Sequence, residues 1–472
     1  MPEKARRIGQ YSETHDRPHA YCLSCAGGCE PVRSSSMAAD GTEAKQASVG
    51  VVSAASIGIG GMVGAGIFAV LGLAVERTGG SVPIAFVIGG VIALVTAHCY
   101  GKLSVAFPDR GGTVSYLDRA FGAKPITGML NVLLVLSYIV MVGFYSSAFG
   151  RFAVSFFNGS EFFRHLFITV SVFALALVNV FGTGLVVRYG NFANLVKMVL
   201  LLAFVVVGLT SGEVEFDSFA PSEWVGPVAL VSGAMVIFLN YEGFEMIANV
   251  ASEVDEDKRA KVMPQAFYGS VLLVIVLYVL ISLVVAGSLP RDVLANAGEF
   301  ALAEAAENLI GRAGFYVIAG AALLATSSAI NATLFSASRM TFALAREREI
   351  PSQLGVMVRE QPLPALGFIC ISGVLLANLV SIEVIAAMGS GGFLVAFAAV
   401  NFAAFRLSVT IGVERWIPVL GSALCLIAIV VLFSQVGRLE LILFGLMIAV
   451  SVAIETIAQL QGRGMHIRHR PS

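Results

Sequence analysis

The chain has 472 residues, of which 57% are hydrophobic and only 13% charged, with a mean hydropathy of +0.85. A soluble protein carries about 25% charged residues. This composition excludes an ordinary soluble enzyme and points to an all-α polytopic membrane protein. The formal net charge of −1 says little by itself; the expected partner is the lipid bilayer, with no nucleic acid.

Residues 1–49 are polar, lack the apolar core of a signal peptide, and read as a disordered cytoplasmic N-terminal tail. Cys22, Cys25 and Cys29, with His15 and His19 nearby, have a spacing that zinc accepts. A floppy tail is the favoured reading of them, and no metal site is assigned. Apolar runs near the length that crosses a hydrocarbon core then follow one another. They read as twelve transmembrane helices at 50–74, 84–106, 125–150, 162–182, 190–211, 226–251, 265–288, 313–340, 364–381, 384–406, 416–435 and 438–459. With both termini cytoplasmic, 23 of the 30 Lys and Arg lie inside and 6 outside, and Lys197 falls within a span. The positive-inside rule selects that orientation.

The first span carries five glycines between Gly58 and Gly66. Each costs a helix roughly 1 kcal/mol against alanine, so the segment reads as an interrupted helix. Unwound backbone is tolerated at membrane depth only where protein or a cavity surrounds it. N–H groups freed at Ala65 and Gly66 would collect a carboxylate, and carbonyls near Gly60, Gly61 and Met62 would accept from an ammonium. Close packing through small residues is the competing explanation.

A second interruption reads Phe238-Leu239-Asn240-Tyr241-Glu242-Gly243-Phe244-Glu245, about 180 residues on. It adds the carbonyls of Leu239, Tyr241 and Glu242 as acceptors. Paired interruptions at matching places mark the substrate site of a transporter built from repeats. Helices 1–5 (50–211) and 6–10 (226–406) then form two halves. An odd number of spans in each makes them inverted repeats, and 415–459 holds two accessory helices before a cytoplasmic C-terminal tail, 460–472. Between spans seven and eight, Gly298–Ala306 is too short and acidic to cross and reads as an external amphipathic helix.

Three ionisable side chains stand at membrane depth, where such groups are expensive and functional by default. Glu242 and Glu245 flank the second break, and desolvation penalises their charged form. Lys197 lies seven residues into the fifth span from Gly190, about 10 Å deep. Snorkelling of its stem is one reading. The other is a buried ammonium beside the unwound first helix, held by free carbonyls and by hydroxyls of Thr326, Ser327 or Ser328, where it would stand in for a coupling cation. Enzyme chemistry finds little support. The acidic run at Glu253–Asp257 has no facing cluster, and no HExxH, GxSxG or Walker pattern occurs.

Gly58-x-Gly60-x-Met62-x-Gly64-x-Gly66-Ile67-Phe68 resembles the first-helix signature of the amino acid–polyamine–organocation superfamily of secondary transporters. Phe238–Glu245, followed by Ser252-Glu253 and Pro264, is similar to its sixth helix and exit loop. Pro108-x-x-Gly111-Gly112-x-x-x-Tyr116-x-x-x-Ala120-Phe121-Gly122 and Ser338-Arg339-Met340-x-x-Ala343-Leu344-Ala345-Arg346 are similar to its two cytoplasmic loop motifs. The resemblance spans about residues 45–410. It implies an inverted five-plus-five (LeuT-like) fold with discontinuous helices one and six. It also implies a substrate carboxylate on the first break and a substrate amine on carbonyls of both, which marks Met62, Ala65, Gly66, Leu239 and Glu242. Lys197 matches the fifth-helix lysine of the proton-coupled, sodium-independent bacterial branch and its cationic amino acid relatives. Gly61 departs from arginine/agmatine exchangers, which keep a polar side chain there.

The expected function is secondary active transport of amino acids across the cell membrane, as proton-coupled, sodium-independent import. An amino acid/polyamine exchanger is the alternative, and an intramembrane enzyme the remote one. Expected substrate-binding positions are Gly60, Gly61, Met62, Val63, Ala65, Gly66, Leu239, Tyr241 and Glu242. Lys197 and Glu245 are expected to couple protons, supported by Thr326, Ser327 and Ser328. No cofactor and no catalytic residue is expected, and the unit would be a monomer or homodimer.

Overall fold

A computed structural model describes residues 49–460 apart from Arg110, Ala123, Asn158 and Glu360. The Cys22–Cys29 cluster with His15 and His19, the tail up to residue 48 and residues 461–472 lie outside the described residues. Among the described residues the protein is all-helical, with no strand.

The first span is α1 (Val51–Met62), which stops at Val63, followed by α2 (Gly66–Ala69) and α3 (Leu71–Thr78). The part beyond the break is therefore not one half-helix as expected but two, because Val70 leaves helical geometry (φ −115°, ψ 1°). The second span, α4 (Val82–Ala106), begins with Pro83 in its first turn, where a missing N–H costs nothing. A short α5 (Thr113–Phe121) leads into α6 (Pro125–Val154), again opened by proline, then α7 (Glu161–Val180) and α8 (Thr183–Ser211). The sixth span starts as α9 (Pro227–Ile237) and tightens into 3-10 turns at Phe238–Tyr241 and Phe244–Glu253 on either side of Gly243. Gly243 sits at φ +115°, a conformation that glycine adopts without steric cost.

The seventh span is α10 (Glu256–Ser288). The helix expected at Gly298–Ala306 begins as a 3-10 turn, Gly298–Phe300, and continues as α12 (Ala301–Ile310), with α11 (Arg291–Ala297) before it. Next come α13 (Arg312–Arg346), α14 (Leu363–Leu379), α15 (Ile382–Arg406), the single turn α16 (Ser408–Ile411), α17 (Trp416–Gln435) and α18 (Arg438–Leu460). Among the described residues eleven spans meet both length and apolar composition for crossing a membrane. The ninth expected span is α14, which at 17 residues is shorter than those.

Burial sorts the helices into centre and rim. In the most apolar stretch of α6 and of α15, 83% of residues are buried, against 28% in α17 and α18. A helix buried on all sides is apolar all round, and α6 and α15 show no amphipathic face. The two interrupted spans are also inside, so their loosened backbone is enclosed by protein rather than lipid.

Candidate functional site

The two breaks lie against each other. Gly61 and Gly243 meet backbone to backbone, with no room for a side chain at either. Tyr278 of α10 ties them together: its hydroxyl reaches the Met62 carbonyl at 2.6 Å and the Asn240 carbonyl at 3.1 Å. Having one proton, it donates to one of the two at a time. Tyr241 anchors the second break outward, donating to the Phe86 carbonyl of α4 at 2.7 Å.

The loosened backbone leaves groups open. Among the described residues, no acceptor is in range of the N–H groups of Gly64, Ala65, Gly66 and Ile67. Four neighbouring donors without partners in a buried segment form a place for an anion. The expected cation acceptors differ in availability. The Gly60 carbonyl accepts from Lys197, that of Met62 from Tyr278, and that of Leu239 from the Glu242 N–H at 3.2 Å. Among the described residues no donor reaches the carbonyls of Gly61, Tyr241 and Glu242. Val63 closes the last turn of α1 through its N–H to the Ile59 carbonyl at 2.8 Å.

Lys197 is fully buried, and its ammonium donates to the Gly60 carbonyl at 3.0 Å and to Ser328 Oγ at 3.3 Å. It thereby links α8, the end of α1 and α13. The Thr326 hydroxyl turns back to the Ala322 carbonyl, and Ser327 bonds the Tyr189 hydroxyl of α8, so of the three only Ser328 meets the lysine. The Glu245 carboxylate accepts from the Gly243 N–H at 2.8 Å and from the Tyr138 hydroxyl of α6 at 3.2 Å. Glu242 is as deeply buried, yet neither of its carboxyl oxygens has a hydrogen bond of normal geometry, although the Tyr145 hydroxyl lies beside it.

A cavity of about 1560 Å³ reaches this centre from one side. It runs from Gly60, Gly61, Glu245 and Ser328 out to Asp109 and Glu347. On the opposite face the way is shut. The turn at Gly298–Phe300 presses on α3 so closely that a Cβ on Gly72 would meet the Gly298 carbonyl at 2.2 Å. Phe152 packs edge-on against both Phe68 and Phe300, and Arg151 pairs with Glu299 at 2.8 Å. Burial holds the Glu299 carboxyl above its usual range, with Arg151 pulling the other way. Access from one face with closure at the other is one half of an alternating-access cycle.

A family model described as amino acid permease matches residues 49–456. The chain belongs to the amino acid permease family. Relatives of this permease lie at about one residue in three. The inner membrane transport protein YbaT of Escherichia coli is 30% identical over 414 residues, 86% of this chain and 95% of that one. An uncharacterized protein of Methanocaldococcus jannaschii is 30% identical over 382 residues, 80% and 86% respectively. Cationic amino acid transporter 7, chloroplastic, of Arabidopsis thaliana is 31% identical over 417 residues, 81% and 69%. The family consists of transporters, so the enzyme reading falls away and the permease is a multi-pass membrane protein.

Several parts of the permease's site escape the sequence reading. Tyr278, Tyr138 and Tyr145 sit in apolar spans and pass for filler, although a buried tyrosine hydroxyl normally needs a partner. Asn240 falls within the second break, but its side chain attracts no attention there beside two glutamates.

Proposed function

We propose that the permease imports amino acids across the cell membrane by proton coupling, independently of sodium. The observation that carries this reading is the pairing at one point of unbonded N–H groups (Gly64–Ile67) and unbonded carbonyls (Gly61, Tyr241, Glu242), complementary to the two ends of a zwitterion. Gly60, Gly61, Met62, Val63, Ala65 and Gly66 supply the first-break side, and Leu239, Tyr241 and Glu242 the second. Lys197, joined to Gly60 and Ser328, is the proton-coupling group together with Glu245, with Thr326 and Ser327 shaping the same turn of α13. Twelve spans make up the fold, α14 being the ninth. Residues 50–211 and 226–406 form inverted repeats, each with its first span interrupted, and 415–459 is an accessory pair. Both termini face the cytoplasm, which makes the cavity cytoplasmic and the conformation inward-open.

Uptake of labelled amino acids into proteoliposomes tests the reading. Accumulation into vesicles empty of amino acid, driven by an acid exterior, is the expected result. Uptake that needs amino acid inside and ignores the pH gradient would replace import with exchange.

A further inference from the structure

We propose that the side-chain amide of Asn240 is a binding and specificity-determining group for the substrate's carboxylate, beside the unbonded N–H groups of Gly64–Ile67. The proposal rests on the reading of the first break as the carboxylate site. Asn240 is 1% exposed, and neither Nδ2 nor Oδ1 has a hydrogen-bond partner. A buried amide with every bonding position empty is costly, and buried polar side chains are normally satisfied. An amide left wholly open among the described residues is completed by something outside them, and a substrate in the break is the nearest fit.

Its location indicates what that is. A Cβ built on Gly66 would lie 1.9 Å from Asn240 Oδ1, so the amide occupies the space that a side chain at position 66 would take. The residue is held at its root, since Tyr278 bonds the Asn240 carbonyl and the 3-10 turn Phe238–Tyr241 fixes the backbone. Next to it lie the four unbonded N–H groups of the first break; Oδ1 is the amide atom that faces Gly66, and a half-turn of the amide brings the two Nδ2 donors there instead. A concentration of unbonded donors suits a small anion, and the anionic end of an amino acid is its carboxylate. The acidic side chain nearest in sequence, Glu242, lies instead beside Tyr145, which also borders Gly64. The amide thus meets the break at Gly66, and the Glu242 carboxyl approaches it from the Gly64 side. An amide donates without charge, so it strengthens an anion site without fixing a buried cation in it.

The test compares probes that differ only at the carboxyl group: L-alanine with L-alaninamide, L-leucine with L-leucinamide, and L-arginine with L-argininamide. Each is read by competition for uptake in proteoliposomes and by thermal stabilisation of the purified full-length protein. The wild type should prefer at least one free amino acid to its amide. Asn240→Ala should weaken the free acid by about tenfold, the worth of one bond to a charged group, and leave the amide nearly unchanged, so the ratio collapses. Asn240→Asp should weaken the acid further. Asn240→Ser, which keeps one short donor, should fall between and serves if Asn240→Ala fails to fold. An unchanged acid-to-amide ratio in Asn240→Ala or Asn240→Ser overturns the role of Asn240 alone. A wild type that does not distinguish acid from amide overturns the carboxylate reading of the break, and this proposal with it.

Discussion

A Cβ on Gly61 would stand 2.8 Å from the Cα of Gly243, and one on Gly243 would stand 2.5 Å from the carbonyl carbon of Gly61. Both obstacles are backbone, so neither can swing aside as a side chain would. The two interrupted spans therefore approach at the one point where each has nothing to project, and the unbonded groups of both breaks converge there.

Gly243→Ala should abolish uptake and lower the yield of monodisperse protein in detergent. The substitution places a side chain at φ +115°, where a left-handed conformation costs roughly 1–2 kcal/mol, and adds the clash with Gly61. Gly320→Ala is the control: it also adds a methyl group to a glycine in a span, but with nothing within 4 Å, and should behave as wild type. A functional Gly243→Ala variant would show that the breaks do not need this contact.

Gly66→Val should leave the protein folded but remove amino-acid-dependent thermal stabilisation. The β-branched side chain stiffens the break and must displace the Asn240 amide, a side chain that can move. Retention of normal stabilisation by this variant contradicts the placement of the carboxylate.

Tyr278→Phe removes the donor shared by the Met62 and Asn240 carbonyls. The expected loss is about 1–3 kcal/mol, seen as a lower thermal midpoint and slower uptake with little change in substrate preference. A shift in acid-over-amide preference instead would mean that the bond to the Asn240 carbonyl also sets where the Asn240 amide stands.

How far the sequence leads differs between these residues. The breaks are legible because glycine runs and a Gly next to paired glutamates are rare in apolar spans, and Lys197 because a charge in such a span stands out. The family follows from four motifs in order. Two things were out of reach. The split of the outer half-helix at Val70 carries no glycine, proline or charge to announce it, and the packing of the Gly298–Phe300 turn on α3 is a tertiary contact that no local pattern encodes. The roles of Tyr278 and Asn240 depend on which helix each faces, and period-3.6 reasoning cannot choose a face in a helix apolar all round.

Among substrates, neutral amino acids should compete better than aspartate or glutamate. Glu245 and Glu242 already place two buried carboxyls at the second break, one of them without a hydrogen-bond partner. A third carboxylate on the substrate side chain would enter with little to pair with it, and buried unpaired charge is strongly disfavoured. Competition across a labelled panel measures this, and an acidic amino acid as the strongest competitor would sink the pocket reading.

Lys197 should make uptake follow a proton gradient and ignore sodium. When protonated, its ammonium holds the Gly60 carbonyl and Ser328 Oγ, joining the end of α1 to α13 across α8. Deprotonation removes the charge from bonds worth roughly 1.5–3 kcal/mol each. A change of that size shifts a two-state equilibrium about tenfold or more. Its partners Gly60 and Ser328 line the cavity, which gives the proton a short path to water. Lys197→Ala should then still bind amino acid and still exchange internal for external substrate, since the lysine side chain is not itself a binding group, but it should no longer concentrate substrate. The measurement uses proteoliposomes loaded at about pH 7.5 and diluted to about pH 5.5, so that a protonating exterior faces a deprotonating interior, with sodium present or replaced by choline. Wild-type uptake that tracks sodium and not pH defeats the proposal, as does a Lys197→Ala variant that still accumulates substrate against its gradient.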